Sequence, residues 1–221
     1  MGTVVFDLDG TLVDSSGDLI AAANRCFVNI GAGEILDTSV DAATALHGGR
    51  AMLRLGFQRI DGKVDEKEVD RQYPLLLAAY EENIDIHTTL YDGAMAAVEN
   101  LCNDGYRVAI CTNKPEYLAR LLLERLGVLN AFGSLVGADT LPVRKPHPEP
   151  LREAVRRAGG IPERALLVGD TKTDRETSRA AGIPSVLVLF GPEGGAVNDL
   201  SPEATISCYA ELPEVVNSLL N

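Results

Sequence analysis

Five short apolar runs punctuate the chain: Thr3 to Phe6, Arg107 to Cys111, Ser134 to Gly137, Ala165 to Val168 and Ser185 to Leu189. They are rich in β-branched and aliphatic residues and show little polar alternation, the pattern of parallel strands covered on both faces. Between most of them the apolar positions move to helical spacing. Gly93 to Asn103 carries Met95, Val98, Leu101 and Cys102 in this way. Pro115 opens a helix bearing Leu118, Leu121, Leu122 and Leu126, and Gly127 closes it. Pro148 opens another that ends at Gly159, Thr173 or Asp174 caps one that ends at Gly182, and Pro213 to Leu220 is the last. Strands alternating with helices predict βαβ units and a doubly wound α/β domain.

One stretch breaks the alternation. From about Ser15 to Asn83 only helical patterns occur, with one stripe at Leu19, Ile20, Ala23, Phe27 and Ile30 and another at Val69, Tyr73, Leu76, Leu77 and Tyr80. Between the stripes, His47-Gly48-Gly49-Arg50 reads as a loop. The expected organisation is an α/β core of residues 1–14 and 86–221 with a helical domain, 15–85, inserted after the first strand.

Composition narrows the function. The chain has 221 residues, enough for one large domain or a domain with an insertion. With 20 basic and 32 acidic residues the net charge is −12, which repels nucleic acids and anionic membranes. Cys26, Cys102, Cys111 and Cys208 form no C-x-x-C pair and read as reduced, core-packed thiols. The opening MGTVVFDLDGT lacks the basic start of a signal peptide, and no apolar run approaches a membrane span. A cytoplasmic protein, a monomer or homodimer without nucleic-acid or membrane partners, is expected.

Four polar segments follow strands or lead into the next one. Asp7-Leu8-Asp9-Gly10-Thr11 follows the first run; residues i and i+2 share a side of a strand, so Asp7 and Asp9 are expected to face one space. Two carboxylates so placed repel each other unless a cation sits between them. Gly169-Asp170-Thr171-Lys172-Thr173-Asp174 follows the fourth run, and a second acid site there is what a shared Mg²⁺ requires. Thr112-Asn113-Lys114-Pro115 offers a hydroxyl and a helix N-terminus to an anion. In Arg144-Lys145-Pro146-His147-Pro148 the stiff neighbours of Lys145 aim it as a point charge for phosphate. Each segment alone is also an ordinary turn, cap or linker. Together, at the edge where open α/β sheets bind ligands, they supply a nucleophile, a proton-transfer group, a phosphate clamp and a metal site.

With these motifs in this order, the chain resembles the haloacid dehalogenase superfamily, subfamily I, and its Mg²⁺-dependent phosphatases. Within it, GADTLPVRKPHPEPL and AICTNKP are most similar to the phosphoglycolate phosphatases. The resemblance implies a mostly parallel, Rossmann-like sheet with an all-helical cap domain, and an enzyme hydrolysing a small phosphate monoester, 2-phosphoglycolate by preference. It implies Asp7 as nucleophile, forming an aspartyl-phosphate, and Asp9 as the acid and base. It implies Mg²⁺ on Asp7, Asp170 and the Asp9 main-chain carbonyl, with Asp174 orienting a metal-bound water or Lys145. Thr112, Asn113 and Lys145 are the implied phosphate ligands, and His47, Gly49 and Arg50 the implied specificity residues of the cap. The rival readings are a β-phosphoglucomutase-like phosphotransferase, another sugar-phosphate or pyrophosphate phosphatase, and, outside catalysis, a receiver-type signalling module. A receiver carries its phosphoacceptor at the third strand, whereas the acids here recur at the first and fourth.

Overall fold

The computed structural model describes residues 2–220; Met1 and Asn221, which the expected core boundaries include, lie outside them. The chain divides into two compact units, one of Met1–Val13 with Leu90–Asn221 and the other of Asp14–Thr89.

The larger unit is built on one parallel sheet. Its strands are β1 (Thr3–Phe6), β4 (Arg107–Cys111), β5 (Leu135–Val136), β6 (Ala165–Gly169), β7 (Ser185–Val188) and β8 (Ala204–Ile206), in the order β5-β4-β1-β6-β7-β8. Val5 pairs with Ala109 on one side and Leu167 on the other, so β1 is central. From β1 the chain fills one half of the sheet, then crosses back to β6 and fills the other. The β1–β6 boundary is therefore the switch point at which open sheets carry their sites.

Both sheet faces are covered, which explains strands apolar at nearly every position. Val5, Ala109, Cys111, Val136, Ala165 and Leu167 form one core with Leu151, Ala154 and Val155 of α7 (Glu149–Arg157). Helix α8 (Lys172–Ala181) packs beside α7, while α5 (Ala94–Asn103) and α9 (Leu212–Leu220) pack together and against β4 and β6. Helix α6 (Glu116–Arg125) lies against β5 at the sheet edge. Strand β8 has no counterpart among the expected strands, because three residues inside a stretch rich in Gly and Pro carry too little pattern to read. Cys102 and Cys208 are exposed rather than core-packed: the buried residues of α5 are Ala94, Ala97, Val98 and Leu101, and Cys102 falls outside that stripe.

The smaller unit holds α1 (Ser16–Asn29), α2 (Thr38–Leu46), α3 (Gly49–Asp61) and α4 (Glu66–Glu82). Two-residue strands β2 (Val13–Asp14) and β3 (Thr89–Leu90) make a separate small sheet. Helix α1 packs on the other three helices, and Phe27 meets Phe57 edge to face at 5.5 Å. Gly56 makes this crossing possible, since a Cβ there would lie 2.0 Å from the Phe27 ring. The expected loop at 47–50 is shorter than its composition suggests. His47 ends α2, Gly48 turns the chain at φ +89°, and Gly49 and Arg50 already belong to α3. Gly49 packs against Leu76 of α4, where a Cβ would come within 2.7 Å, so its glycine serves close helix packing rather than a loop. Among the described residues no helix is long and apolar enough to cross a membrane.

Candidate active site

The C-terminal edge of the sheet carries the site. Asp7 follows β1, where its N–H donates to the Val168 carbonyl at 2.9 Å and continues the sheet by one residue. Gly10, at φ +80°, then turns the chain. Thr112 follows β4, Lys145 lies in the crossover before α7, and Asp170 follows β6.

Lys145 is the hub. Its Nζ lies 2.6 Å from Asp174 Oδ1 and 3.0 Å from Asp7 Oδ1, with the side chain 2% exposed. One ligand oxygen from each of Asp7, Asp170 and Asp174 lies within 4.8 Å of the others, and all three residues are buried. Burial pushes the Asp7 carboxyl up to about 6; the Lys145 charge opposes this and that of Asp174 adds to it. Burial, then the charges of Asp174 and Asp7, hold Asp170 well above the usual carboxylate range. Burial alone would lower the Lys145 ammonium, but Asp174 and Asp7 outweigh it and keep the amine charged.

Local structure fixes each acid. Thr171 caps α8 with a reciprocal box: its side chain accepts from Asp174 N–H, and Asp174 Oδ2 accepts from the Thr171 N–H at 3.1 Å and hydroxyl at 2.6 Å. The N-cap is thus Thr171, not Thr173 or Asp174, since the box needs its acid three residues into the helix. That leaves Asp174 Oδ1 for Lys145. Gly169 permits the approach, because a Cβ there would lie 2.4 Å from Asp174 Cγ. Asp170 Oδ1 accepts from the Thr11 hydroxyl at 2.8 Å, whereas its Oδ2 is buried with no hydrogen-bond partner.

Asp9 is engaged separately. Its Oδ1 lies 2.9 Å from Lys114 Nζ, and the Lys114 side chain is almost wholly buried. The two carboxylates of the Asp-x-Asp segment thus take different lysines, and Asp9 is not in the three-acid cluster. The Thr112 hydroxyl accepts from the Lys114 N–H at 3.2 Å and retains its own proton to donate. Asn113 donates through Nδ2 to the Lys145 carbonyl at 3.0 Å, tying the loop after β4 to the Lys145 segment. Lys114 and Thr11 are the site residues that sequence reasoning gave no role. Both stand inside motifs already singled out, but nothing in the spacing pairs Lys114 with an acid 105 residues away.

Arg50 belongs to the smaller unit, where its Nη1 donates to Asp70 Oδ1 at 2.6 Å and its guanidinium sits 4.4 Å from the centre of the Tyr73 ring. His47 and Gly49 flank the α2–α3 turn as described.

The cluster fits a divalent cation. Three buried carboxylates face one ammonium, and one buried carboxylate oxygen has no donor at all, a costly arrangement that hard cations such as Mg²⁺ relieve. The chain matches the haloacid dehalogenase-like hydrolase family over residues 4–188. A phosphoglycolate phosphatase of Mesorhizobium japonicum is 40% identical over 213 residues, 95% of this chain and 92% of that one. One from Cereibacter sphaeroides is 37% identical over 226 residues and 100% of both chains. A crystal structure of a predicted phosphoglycolate phosphatase from Haemophilus somnus has a TM-score of 0.85 and covers 97% of each chain, at 24% identity a likeness of fold. The chain belongs to the haloacid dehalogenase-like hydrolases and is a phosphatase of phosphate monoesters.

Proposed function

We propose that this phosphatase is Mg²⁺-dependent, that it passes the phosphoryl group through Asp7, and that its substrate is 2-phosphoglycolate. The observation that carries the reading is the unpartnered Asp170 Oδ2 beside Asp7, Asp174 and Lys145. The substrate rests on the relatives' names and on the shared motif segments.

Asp7 attacks phosphorus: a bond forms from its carboxylate oxygen to phosphorus as the bond to the leaving oxygen breaks. Asp9 gives its proton to that oxygen, then takes one from water as the water oxygen attacks phosphorus and Asp7 is released with inorganic phosphate. Lys145 and Thr112 hold the phosphoryl oxygens, and Asn113 steadies the Lys145 main chain. Asp7, Asp170 and the Asp9 carbonyl would hold Mg²⁺, which when bound supplies the positive charge that three acids and one lysine lack. Asp174 fixes Lys145.

Activity on 2-phosphoglycolate and a panel of monoesters, with Mg²⁺ and with EDTA, tests the reading. Asp7→Asn should abolish turnover without unfolding the chain. Asp9→Asn should slow it by about 10²-fold or more and let the phosphoenzyme accumulate, which acid-quench labelling detects. Near-normal turnover in Asp7→Asn, or undiminished activity in EDTA, overturns the mechanism.

Selection among monoesters is assigned to His47, Gly49 and Arg50, with Arg50 matched to the substrate carboxylate. Arg50→Ala should raise KM for 2-phosphoglycolate more than for p-nitrophenyl phosphate, by about 1–3 kcal/mol of lost charge-assisted hydrogen bonding. Equal losses on both would reduce Arg50 to its structural pair with Asp70.

A further inference from the structure

The acid cluster is braced by a part of the chain that the family match does not reach. That match ends at residue 188, and Phe190, Gly191 and Tyr209 all lie beyond it. Tyr209 is fully buried, and its hydroxyl donates to the Thr11 carbonyl at 2.6 Å. Its ring is the third of a file, Tyr91, Phe190 and Tyr209, whose centroids are 5.1 Å apart at each step. Tyr91 also donates its N–H to the Leu12 carbonyl at 3.0 Å, so the file holds two consecutive carbonyls of the turn after β1. Thr11, buried in that turn, donates its hydroxyl to Asp170 Oδ1. Gly191 closes on the same aspartate: a Cβ there would lie 2.9 Å from Asp170 Cβ and 2.9 Å from the Gly10 carbonyl oxygen.

We propose that Thr11 and Tyr209 are positioning residues for Asp170. The aromatic file fixes the Thr11 main chain, the Thr11 hydroxyl occupies Oδ1, and Oδ2 is left as the oxygen that the ion takes. A carboxylate with one oxygen committed has lost the freedom to turn, so less order remains to be imposed when the ion binds. Hydrogen bonds to ligating carboxylates characteristically control metal affinity in this way. Burial pushes the Tyr209 phenol up, so it remains a donor.

The inference rests on Asp170 being a metal ligand, as proposed above, and the test separates the two. Mn²⁺ suits oxygen-rich sites and reports free and bound ion by electron paramagnetic resonance. Titrations would use the full chain and its Tyr209→Phe, Thr11→Val, Thr11→Ser and Asp170→Asn variants, with circular dichroism as the control for folding. Tyr209→Phe keeps the ring and loses only the hydroxyl. It and Thr11→Val should weaken Mn²⁺ binding by about 10-fold or more, whereas Thr11→Ser, which keeps the hydroxyl, should bind close to the parent. Parent-like affinity in Tyr209→Phe and Thr11→Val, with binding lost in Asp170→Asn, overturns the positioning role and leaves the ligand assignment standing. Parent-like affinity in Asp170→Asn overturns both. Should Thr11→Val fail to fold, Tyr209→Phe decides alone.

Discussion

Lys145 shows how far one side chain can determine a site. It is buried between Asp7 and Asp174, and its removal would leave those carboxylates and Asp170 clustered without the ammonium that lies between them. Breaking a buried pair from one side costs about 3–5 kcal/mol, because the abandoned charge stays buried. Lys145→Met should therefore lower stability by about that amount in urea unfolding with EDTA present. A loss below about 1 kcal/mol, the range of surface pairs, would show that the cluster rearranges or takes up protons instead. Asp7, Lys145, Asp170 and Asp174 stand out in the sequence because each lies at a fixed offset from an apolar run or a proline. Their pairing does not: Lys145 and Asp174 are 29 residues apart, and only the sheet brings them together. Lys114 carries no mark of its partner Asp9 for the same reason, and Tyr209 even less of one, since it is an aromatic residue after a poorly patterned stretch.

At the scale of elements, turn chemistry decides which side chains are free to work. The α8 capping box takes one oxygen of Asp174 and leaves the other for Lys145. A comparable bond ties α2 to α3. Asp41 accepts from Arg59 through both oxygens at 2.7 Å and from the Asp37 N–H at 2.8 Å. The Arg59 hydrogen bonds, against an opposing effect of burial, hold the Asp41 carboxyl below its ordinary value. A depressed carboxylate contributes stability that is complete above the unfolded value, about 3.9, and is lost as pH falls through the folded one. Asp41→Asn should cost about 1–2 kcal/mol at pH 7, toward the low end for a charged hydrogen bond because Arg59 is 39% exposed. The gap should shrink below pH 4 as the parent loses the same charge. Urea unfolding of both proteins at pH 7 and pH 3 checks this, and an unchanged gap would deny the ion pair its part. Sequence periodicity marks α1 and α4 by their apolar stripes, but it outlines neither α2 nor α3, nor their junction. The two glycines at 48–49 read as a loop, while in the structure one makes the turn and the other lets α3 lie close to α4.

The whole molecule separates chemistry from the helical insertion. Every acid, lysine and threonine of the proposed catalytic machinery lies in the unit of Met1–Val13 and Leu90–Asn221, and Asp14–Thr89 has its own core. The sequence predicts an insertion because strand and helix periodicities differ, and a long run of one interrupts the other. Most of the parallel sheet is visible as well, for β1, β4, β5, β6 and β7 are largely buried and lose polar alternation, whereas the partly exposed edge strand β8 leaves no such mark. What periodicity lacks is shape, and Gly56 is the clearest case. A glycine inside a helix is by propensity a weak point, yet at Gly56 a Cβ would fall 2.0, 2.4 and 2.7 Å from three atoms of the wholly buried Phe27 ring. Ala is the better helix former by about 1 kcal/mol, so propensity alone predicts that Gly56→Ala stabilises. Overpacking a full core costs about 1–3 kcal/mol, and at these separations it should win. Gly56→Ala should therefore unfold at a lower temperature by calorimetry while binding Mn²⁺ as the parent does, since the acid cluster belongs to the other unit. Unchanged or higher thermal stability would mean that α1 and α3 can move apart at little cost. Weakened Mn²⁺ binding at a temperature where the variant is folded would mean that the two units are energetically coupled.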